Sequence, residues 1–359
     1  MRAVRAAVTA VICVVLAGCG SGARGSGAAP AGQVAARADE VSFVVGGTTT
    51  YGTLEVPAHR GDQHLAAALL LAGSGPTDRN GNQEPNLTPN TLGQIADALD
   101  RVGIMSLRFD KYFSGKTGAG AFAKDPGSAD LNASVAQAEA AYQFLRGQAA
   151  TDTRRLLVVG HSEGGMFAIL VAEAVSPHPA GLALVEPQDE RLLDLLAVQI
   201  NEGLETQVSQ GAISADTARG NAQGVRQAIG QFRAGRPVDT TGLLPAVAGV
   251  LAPIIQNPAN AREARTVDAV DPATVAAKLP AGIRVLVTDG TADTNVPPFT
   301  IQPLVKGLTG AGVTGPGLQT LDGLNHDLVR ADTQSNGAPL DPAFLTVLRG
   351  WAQPYATQP

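Results

Sequence analysis

Cysteine is almost missing from this chain. Its 359 residues contain two, Cys13 and Cys19. Both fall among the first twenty positions, so no disulfide can staple the rest of the chain to itself, and whatever folds there is held by its core. Length makes that feasible, since a chain of about 320 residues buries roughly three quarters of the surface it exposes when unfolded. Aromatic residues are scarce as well, at 4%, and give no sign of a large stacking site. No basic cluster is present and the net charge is −6, which argues against nucleic acid or an anionic membrane surface as the main partner. No Cys/His cluster has metal-ligand spacing, so neither a metal nor an organic cofactor is expected. No internal repeat is visible. The longest apolar stretch near the start, Ala6 to Ala17, is shorter than the roughly 20 residues that span a bilayer.

That stretch has another reading. Arg2 and Arg5 precede it, giving the charge-then-apolar order of a secretory signal. It ends in Leu16-Ala17-Gly18-Cys19, which resembles the bacterial lipobox. In a lipobox the cysteine thiol is acylated with diacylglycerol, and cleavage leaves that cysteine as the first residue. Gly20 to Gly32 is mostly Gly, Ala and Ser, the composition of a flexible tether. Residues 1–18 are therefore read as a lipoprotein signal peptide and 19–40 as a lipidated linker. The domain would be exported and anchored through Cys19 on the outer face of the cytoplasmic membrane or elsewhere in the envelope. An ordinary signal peptide with an incidental cysteine is the plain alternative.

From Val41 onward the pattern alternates. Val41–Val45 and Thr48–Val56 read as antiparallel strands turned by Gly46-Gly47. Leu65–Ala72 is continuously apolar, as expected of a strand buried on both faces. Helices are predicted over Thr91–Val102, Ala129–Leu145 and Gly164–Ala174, and strands over Ile104–Phe109, Leu156–Val159 and Leu182–Val185. Gln188 to about Leu279 then reads as helical without strands, broken at Pro245, Pro253, Pro258 and Pro272. Alternation resumes with strands at Ile283–Thr288 and Gly317–Leu321 and helices at Ile301–Leu308 and Pro342–Trp351. Strands alternating with helices imply an α/β fold with a mostly parallel sheet covered on both faces. Its core would comprise residues 41–187 and 280–359, with 188–279 inserted as a helical cap.

The chemistry concentrates at a few points. Leu156 to Gly165 contains Gly160-His161-Ser162-Glu163-Gly164, a G-x-S-x-G nucleophile elbow between an apolar strand and an apolar-faced helix. Small residues at Gly160 and Gly164 permit a turn tight enough to expose the Ser162 hydroxyl, the candidate nucleophile. A serine hydroxyl needs a base, and five histidines are available. His161 cannot easily turn back to its neighbour. His59 and His64 flank an early loop and read as solvated, and His178 lies in a Pro-His-Pro surface turn. His326 follows the last predicted strand, where loops gather above the strand ends, and is the candidate base. Asp293, a short loop beyond strand Ile283–Thr288, is the candidate carboxylate that orients it. Asp289 is the rival, read instead as capping the turn. The acyl oxyanion requires two backbone N–H groups. Glu163 is expected to supply one and Ser74, in the small-residue loop Gly73 to Asn82, the other; a plain polar turn is the alternative for that loop.

Together these pieces resemble the α/β-hydrolase superfamily. Gly73-Ser74-Gly75-Pro76-Thr77-Asp78-Arg79-Asn80-Gly81-Asn82 and Gly160-His161-Ser162-Glu163-Gly164 are similar to a group of bacterial carboxylesterases, over most of Val41 to Trp351. The resemblance implies an eight-stranded core and hydrolysis of short acyl esters. It implies the triad Ser162, Asp293 and His326, with Ser74 and Glu163 as backbone donors. Arg108-Phe109-Asp110-Lys111-Tyr112 also matches that group and is read as a structural ion pair. The expected substrate is a small-molecule ester, cleaved without metal or cofactor. Loss of activity on protonation of His326 is expected near pH 6–7 for an ordinary histidine. A peptidase, amidase or thioesterase with the same triad is the nearer alternative, and a non-catalytic ligand-binding lipoprotein the more distant one. Gln188 to Leu279 carries no motif that names a substrate, and the oligomeric state is not legible.

Overall fold

The computed structural model describes residues 32–356. Cys19, the signal segment and most of the tether lie outside the described residues. Eight strands form one sheet: β1 Arg37–Val45, β2 Thr48–Val56, β3 Leu65–Leu71, β4 Met105–Phe109, β5 Thr151–His161, β6 Gly181–Val185, β7 Arg284–Gly290 and β8 Thr314–Leu321. Their spatial order is β8-β7-β6-β5-β3-β4-β2-β1. The ladders from β8 through β4 are parallel, and β2 pairs antiparallel with both β4 and β1. Gln33–Val34 and His59–Arg60 make a separate two-residue ladder.

Burial explains why β3 is apolar throughout. It is central, and all seven residues are buried. Leu69 and Leu71 point into one hydrophobic cluster, with Val158 of β5, Tyr142 and Leu145 of α2 (Leu131–Arg146) and Ile169 of α3 (Glu163–Ala174). Ala68 and Leu70 point into the other, with Ile95 and Leu99 of α1 (Thr91–Asp100) and Phe344 and Trp351 of the C-terminal helix Pro342–Ala352. Alternate side chains thus feed two separate cores, one on each face of the sheet.

Three strands begin well ahead of the sequence expectation. β1 starts at Arg37 instead of Val41, so residues 37–40 of the expected linker are paired with β2. β5 begins at Thr151 because Thr151 pairs with Leu65. Its leading segment is charged, with Arg154 and Arg155 bound to Asp152, so no apolar signal marks it. β8 begins at Thr314, and a register shift before Gly317 interrupts its ladder with β7.

Between β6 and β7 the chain forms five helices: α4 Leu192–Ser209, α5 Ala215–Arg233, α6 Pro245–Ile255, α7 Pro258–Asp268 and α8 Pro272–Ala276. Three of the four expected breakers are helix starters. Pro245, Pro258 and Pro272 occupy the first turns of α6, α7 and α8, where a missing N–H costs nothing. Pro253 lies inside α6. These helices have a hydrophobic cluster of their own, including Leu193, Ile200, Val225, Phe232 and Leu251. After β7 come α9 Gln302–Gly310 and, last, α10 Pro342–Ala352.

β3 hands the chain to β4 on one side, while β5 lies on its other side. The loops leaving the carboxyl ends of β3 and β5 therefore diverge, and a crevice opens where the connection order reverses. Leu71 and Gly160 are register partners at that edge.

Candidate active site

At the end of β5 the chain turns abruptly into α3. Ser162 takes φ 59° and ψ −127°, a conformation costly for any residue with a side chain. It is held by its surroundings. The Ser162 N–H donates to the Val185 carbonyl at 3.0 Å, while the Ser162 carbonyl accepts from Gly165 N–H at 2.8 Å and Gln188 N–H at 2.9 Å. The flanking glycines are required by contact: a Cβ on Gly160 would collide with the Gly164 carbonyl, and one on Gly164 with the Leu71 carbonyl. Glu163 opens α3, so its N–H is among those that find no partner within the helix.

The loop after β3 lies against the nucleophile. A Cβ on Gly73 would stand 3.1 Å from the Ser162 Cβ and 3.6 Å from its Oγ. The next residues are fixed by their own polar groups. The Thr77 hydroxyl and Gln83 amide donate to the Ser74 carbonyl at 2.7 and 3.0 Å, and Asp78 accepts from Asn80 and Asn82 N–H. Arg79 fastens the loop to the end of β4 through three hydrogen bonds to Asp110, from its backbone N–H at 3.0 Å and its guanidinium at 3.0 and 2.6 Å. Arg108 pairs with Glu55 at 2.7 Å. Arg108, within β4, and Asp110, just after it, thus form ion pairs. Lys111 forms a longer one and also reaches a peptide carbonyl. Its Nζ donates to the Gly73 carbonyl and lies 3.8 Å from Glu163 Oε2.

On the other side of the crevice, His326 Nδ1 donates to Asp293 Oδ2 at 2.7 Å. Asp293 is buried and its second oxygen accepts from Asn295 and Val296 N–H at 2.7 and 2.9 Å. The carboxylate is therefore fixed, and it leaves the proton on Nδ1 and the lone pair on Nε2. Asp289 remains in β7, and no hydrogen bond reaches its carboxylate among the described residues; the turn-capping role expected for it falls instead to Asp293. Burial and the nearby Asp293 charge push the Asp289 carboxyl up to about 6. For His326, burial favours the neutral ring, but the hydrogen bond and charge of Asp293 outweigh it and hold the pKa above the ordinary histidine value.

Two further histidines differ from their sequence reading. His161 turns away from Ser162, as expected, but its Nε2 donates to the His326 carbonyl at 2.8 Å. Burial and the facing His326 ring push its pKa down to about 4, so it stays a neutral donor that holds the base's backbone. His59 is buried rather than solvated, with Nδ1 on the Pro57 carbonyl at 2.8 Å. Glu186 was not anticipated either. It follows β6, is 1% exposed, and accepts the Gly290 N–H at 2.6 Å through Oε2. Burial and repulsion from Asp293 push it up to about 8, so it is a neutral acid at pH 7. No motif marks Glu186, and the available signal was an ionisable residue immediately beyond an apolar strand; Lys111 lies in the Arg108–Tyr112 stretch, whose match to the esterase group reads from sequence as an ion pair alone.

Ser74, Ser162, Glu163 and His326 line one cavity of about 760 Å³, with Asp293 behind His326. That volume suits a small organic ligand. Apolar walls come from Leu71 and Phe167 in the core and from Leu195, Leu196 and Ile254 in the inserted helices. No hydrogen bond joins Ser162 Oγ to His326 among the described residues. Among the described residues no group of His, Cys, Asp and Glu is placed to hold a metal ion.

No protein-family model matches this sequence, and neither does any curated protein. Its likeness to known proteins is one of shape. Est1E from Butyrivibrio proteoclasticus, solved with ferulic acid bound, superposes with a TM-score of 0.54 at 15% identity, over 88% of this chain and 98% of that one. The Pyrococcus furiosus esterase Pf2001 superposes with 0.54 at 12% identity, over 89% and 91%. The α/β hydrolase GrgF from Penicillium sp. sh18 gives 0.53 at 15% identity, over 87% and 98%. With the eight-stranded sheet, the elbow after β5 and helices on both faces, these likenesses identify the architecture of this chain as the α/β-hydrolase fold.

Proposed function

We propose that this protein is a serine hydrolase that cleaves small acyl esters through an acyl-enzyme. The observation that carries this reading is the Asp293–His326 hydrogen bond at 2.7 Å, on the wall of the cavity that also exposes the strained Ser162 elbow. His326 Nε2 takes the proton from Ser162 Oγ as that oxygen bonds to the ester carbonyl carbon. The carbonyl oxygen becomes an oxyanion and accepts from the Ser74 and Glu163 N–H groups. When the tetrahedral adduct collapses, the C–O bond to the alcohol breaks and His326 returns the proton to the leaving alkoxide. Water, deprotonated by His326, then attacks the acyl-enzyme, and the acid leaves as Ser162 regains its proton. Asp293 stabilises the imidazolium formed in each half. The names of two neighbours support ester chemistry, one an esterase and the other solved with ferulic acid bound.

The test is labelling of the purified protein with a fluorophosphonate, alongside hydrolysis of p-nitrophenyl butyrate and of matched thioester and aminoacyl amide substrates. In Ser162→Ala, labelling should vanish and ester turnover fall by a factor of about 10⁴ or more. A folded wild-type protein that neither labels nor turns over any of these would sink the hydrolase reading. Faster cleavage of the amide than of the ester would move it to the peptidase class. The location proposed with this activity is the cell envelope, through a lipid on Cys19.

A further inference from the structure

We infer that Lys111 is a positioning residue that sets both oxyanion donors of this site, a role that rests on the serine-hydrolase reading above. Two facts bring one ammonium to both donors. Lys111 Nζ donates to the carbonyl oxygen of Gly73. That carbonyl and the Ser74 N–H belong to the same planar peptide unit, so they point in opposite directions and share one delocalised electron system. Glu163 owns the second donor N–H, and its carboxylate stands 3.8 Å from the same ammonium.

The physical consequence follows from peptide resonance. A cationic donor on the Gly73 oxygen draws electron density out of the C–N bond, leaving the Ser74 N–H more positive and a stronger donor. A lysine fixed on the carbonyl also fixes the plane of the peptide, and hence where its N–H points. The close approach of Gly73 to Ser162 puts that plane beside the nucleophile. The ion pair meanwhile anchors the first residue of α3. Both bonds act in a largely desolvated place, with 19% of the Lys111 side chain and 14% of the Glu163 side chain exposed, where such polarisation is screened less than in water. The same burial pulls the Lys111 pKa down and pushes the Glu163 pKa up, and the charge of each partner opposes the shift of the other.

Lys111 also reaches the cavity lining, together with Glu263 of α7. Binding a carboxylate on a substrate is thus the competing role. Against it, the ammonium is already engaged by the Gly73 carbonyl and the Glu163 carboxylate, and Glu263 would repel an anion.

The experiment compares wild type with Lys111→Met, which keeps the stem length and removes the charge, and with Glu163→Gln, which breaks the ion pair but keeps the Glu163 N–H. Three quantities are read: kcat and KM for neutral p-nitrophenyl butyrate, the same constants for a monoester carrying a free carboxylate, and the Ki of a butyl trifluoromethyl ketone as a tetrahedral mimic. For Lys111→Met, kcat on the neutral ester should fall about 10- to 100-fold, below the loss for deleting a whole oxyanion donor. KM should stay within about twofold, and the ketone should weaken by the same factor as kcat/KM. Glu163→Gln should show the same pattern at smaller size, and it carries the test if Lys111→Met does not fold. Unchanged kcat with normal folding overturns the inference, as does a kcat loss unaccompanied by weaker ketone binding. A defect confined to KM of the carboxylate-bearing ester overturns it in favour of substrate binding. Wild-type turnover separates the two layers: if wild type is active and the variants are unaffected, only the role of Lys111 falls. If wild type is inactive, the hydrolase reading falls and takes this inference with it.

Discussion

Glu186 holds a buried carboxyl group that forms no ion pair among the described residues, although a charged His326 would favour its ionised form. Its Oε2 accepts the Gly290 N–H, the Gly290 carbonyl in turn accepts the Asp293 N–H at 3.0 Å, and Oε1 is buried without a partner among the described residues. The group is thus part of the scaffold under the acid of the triad, and it stays protonated to a pH near 8. An unfolded glutamate loses its proton near pH 4.3. Between those two values the folded protein binds a proton that the unfolded chain does not, so stability falls as pH rises, by up to about 1.4 kcal/mol per unit. Glu186→Gln keeps a carbonyl for Gly290 and cannot ionise. Relative to wild type, the variant should gain stability as pH rises from 5 to 8, read from thermal or denaturant melts at each pH. Parallel stability curves for the two proteins would contradict the buried neutral acid. This scale also shows what the sequence exposes. Ser162 lies in a motif whose glycines are demanded by contact, and Asp293 and His326 each follow a predicted strand by a short loop. Lys111 and Glu186 acquire their roles only when distant loops meet, through a peptide carbonyl or a backbone N–H that no residue type encodes.

At the scale of elements, Asp268 does for the inserted helices what the sheet ladders do for the core. It is 2% exposed at the end of α7. It accepts from Leu193 N–H in the first turn of α4 at 3.0 Å, from Arg233 of α5 at 2.8 and 2.9 Å, and from Arg191 at 3.2 Å. Burial alone would raise its pKa, but the Arg233 and Leu193 hydrogen bonds prevail and hold it below the usual carboxylate value. Three helices therefore converge on one carboxylate. Asp268→Ala would leave the α4 N-terminus without its acceptor, Arg233 with Asp194 alone, and Arg191 with only the backbone carbonyl of residue 268. Breaking a buried pair costs about 3–5 kcal/mol, and the partly exposed arginines place this case at the low end, about 3 kcal/mol. Hydrogen exchange should show α4 and α5 losing protection while β3, β5 and β6 keep theirs. Uniform loss across the sheet would mean that the inserted helices and the core unfold as one unit. The helical character of this block was legible from its period and its lack of strands. Its packing was not, because Pro245, Pro258 and Pro272 read equally as stops and as starts. Only the direction in which the chain re-enters the helix decides between them.

For the molecule as a whole, alternation of strands and helices was enough to indicate a mostly parallel sheet, because each β3-like run must be covered on both faces. The same economy separates catalysis from attachment. Ser74, Ser162, Glu163, Asp293 and His326 all lie in the described core, far along the chain from Cys19, and among the described residues no helix is long and apolar enough to cross a membrane. A net charge of −6 is the wrong sign for holding the protein on anionic lipid. If it resides on a membrane, the proposed lipid on Cys19 is the attachment. One acyl chain gives only marginal, reversible binding, whereas a diacylglycerol supplies two chains and a lasting anchor. In a bacterial host, wild-type protein should stay with the membrane fraction through a high-salt wash and leave it in detergent. Cys19→Ser should either accumulate as the larger unprocessed form or leave the membrane fraction altogether. Its kcat/KM on p-nitrophenyl butyrate, measured on the purified protein, should match wild type within about twofold, since no site residue depends on the anchor. Salt extraction of the wild type would indicate a protein partner or a charged surface instead of a lipid. Unchanged membrane retention of Cys19→Ser would place the attachment somewhere other than Cys19.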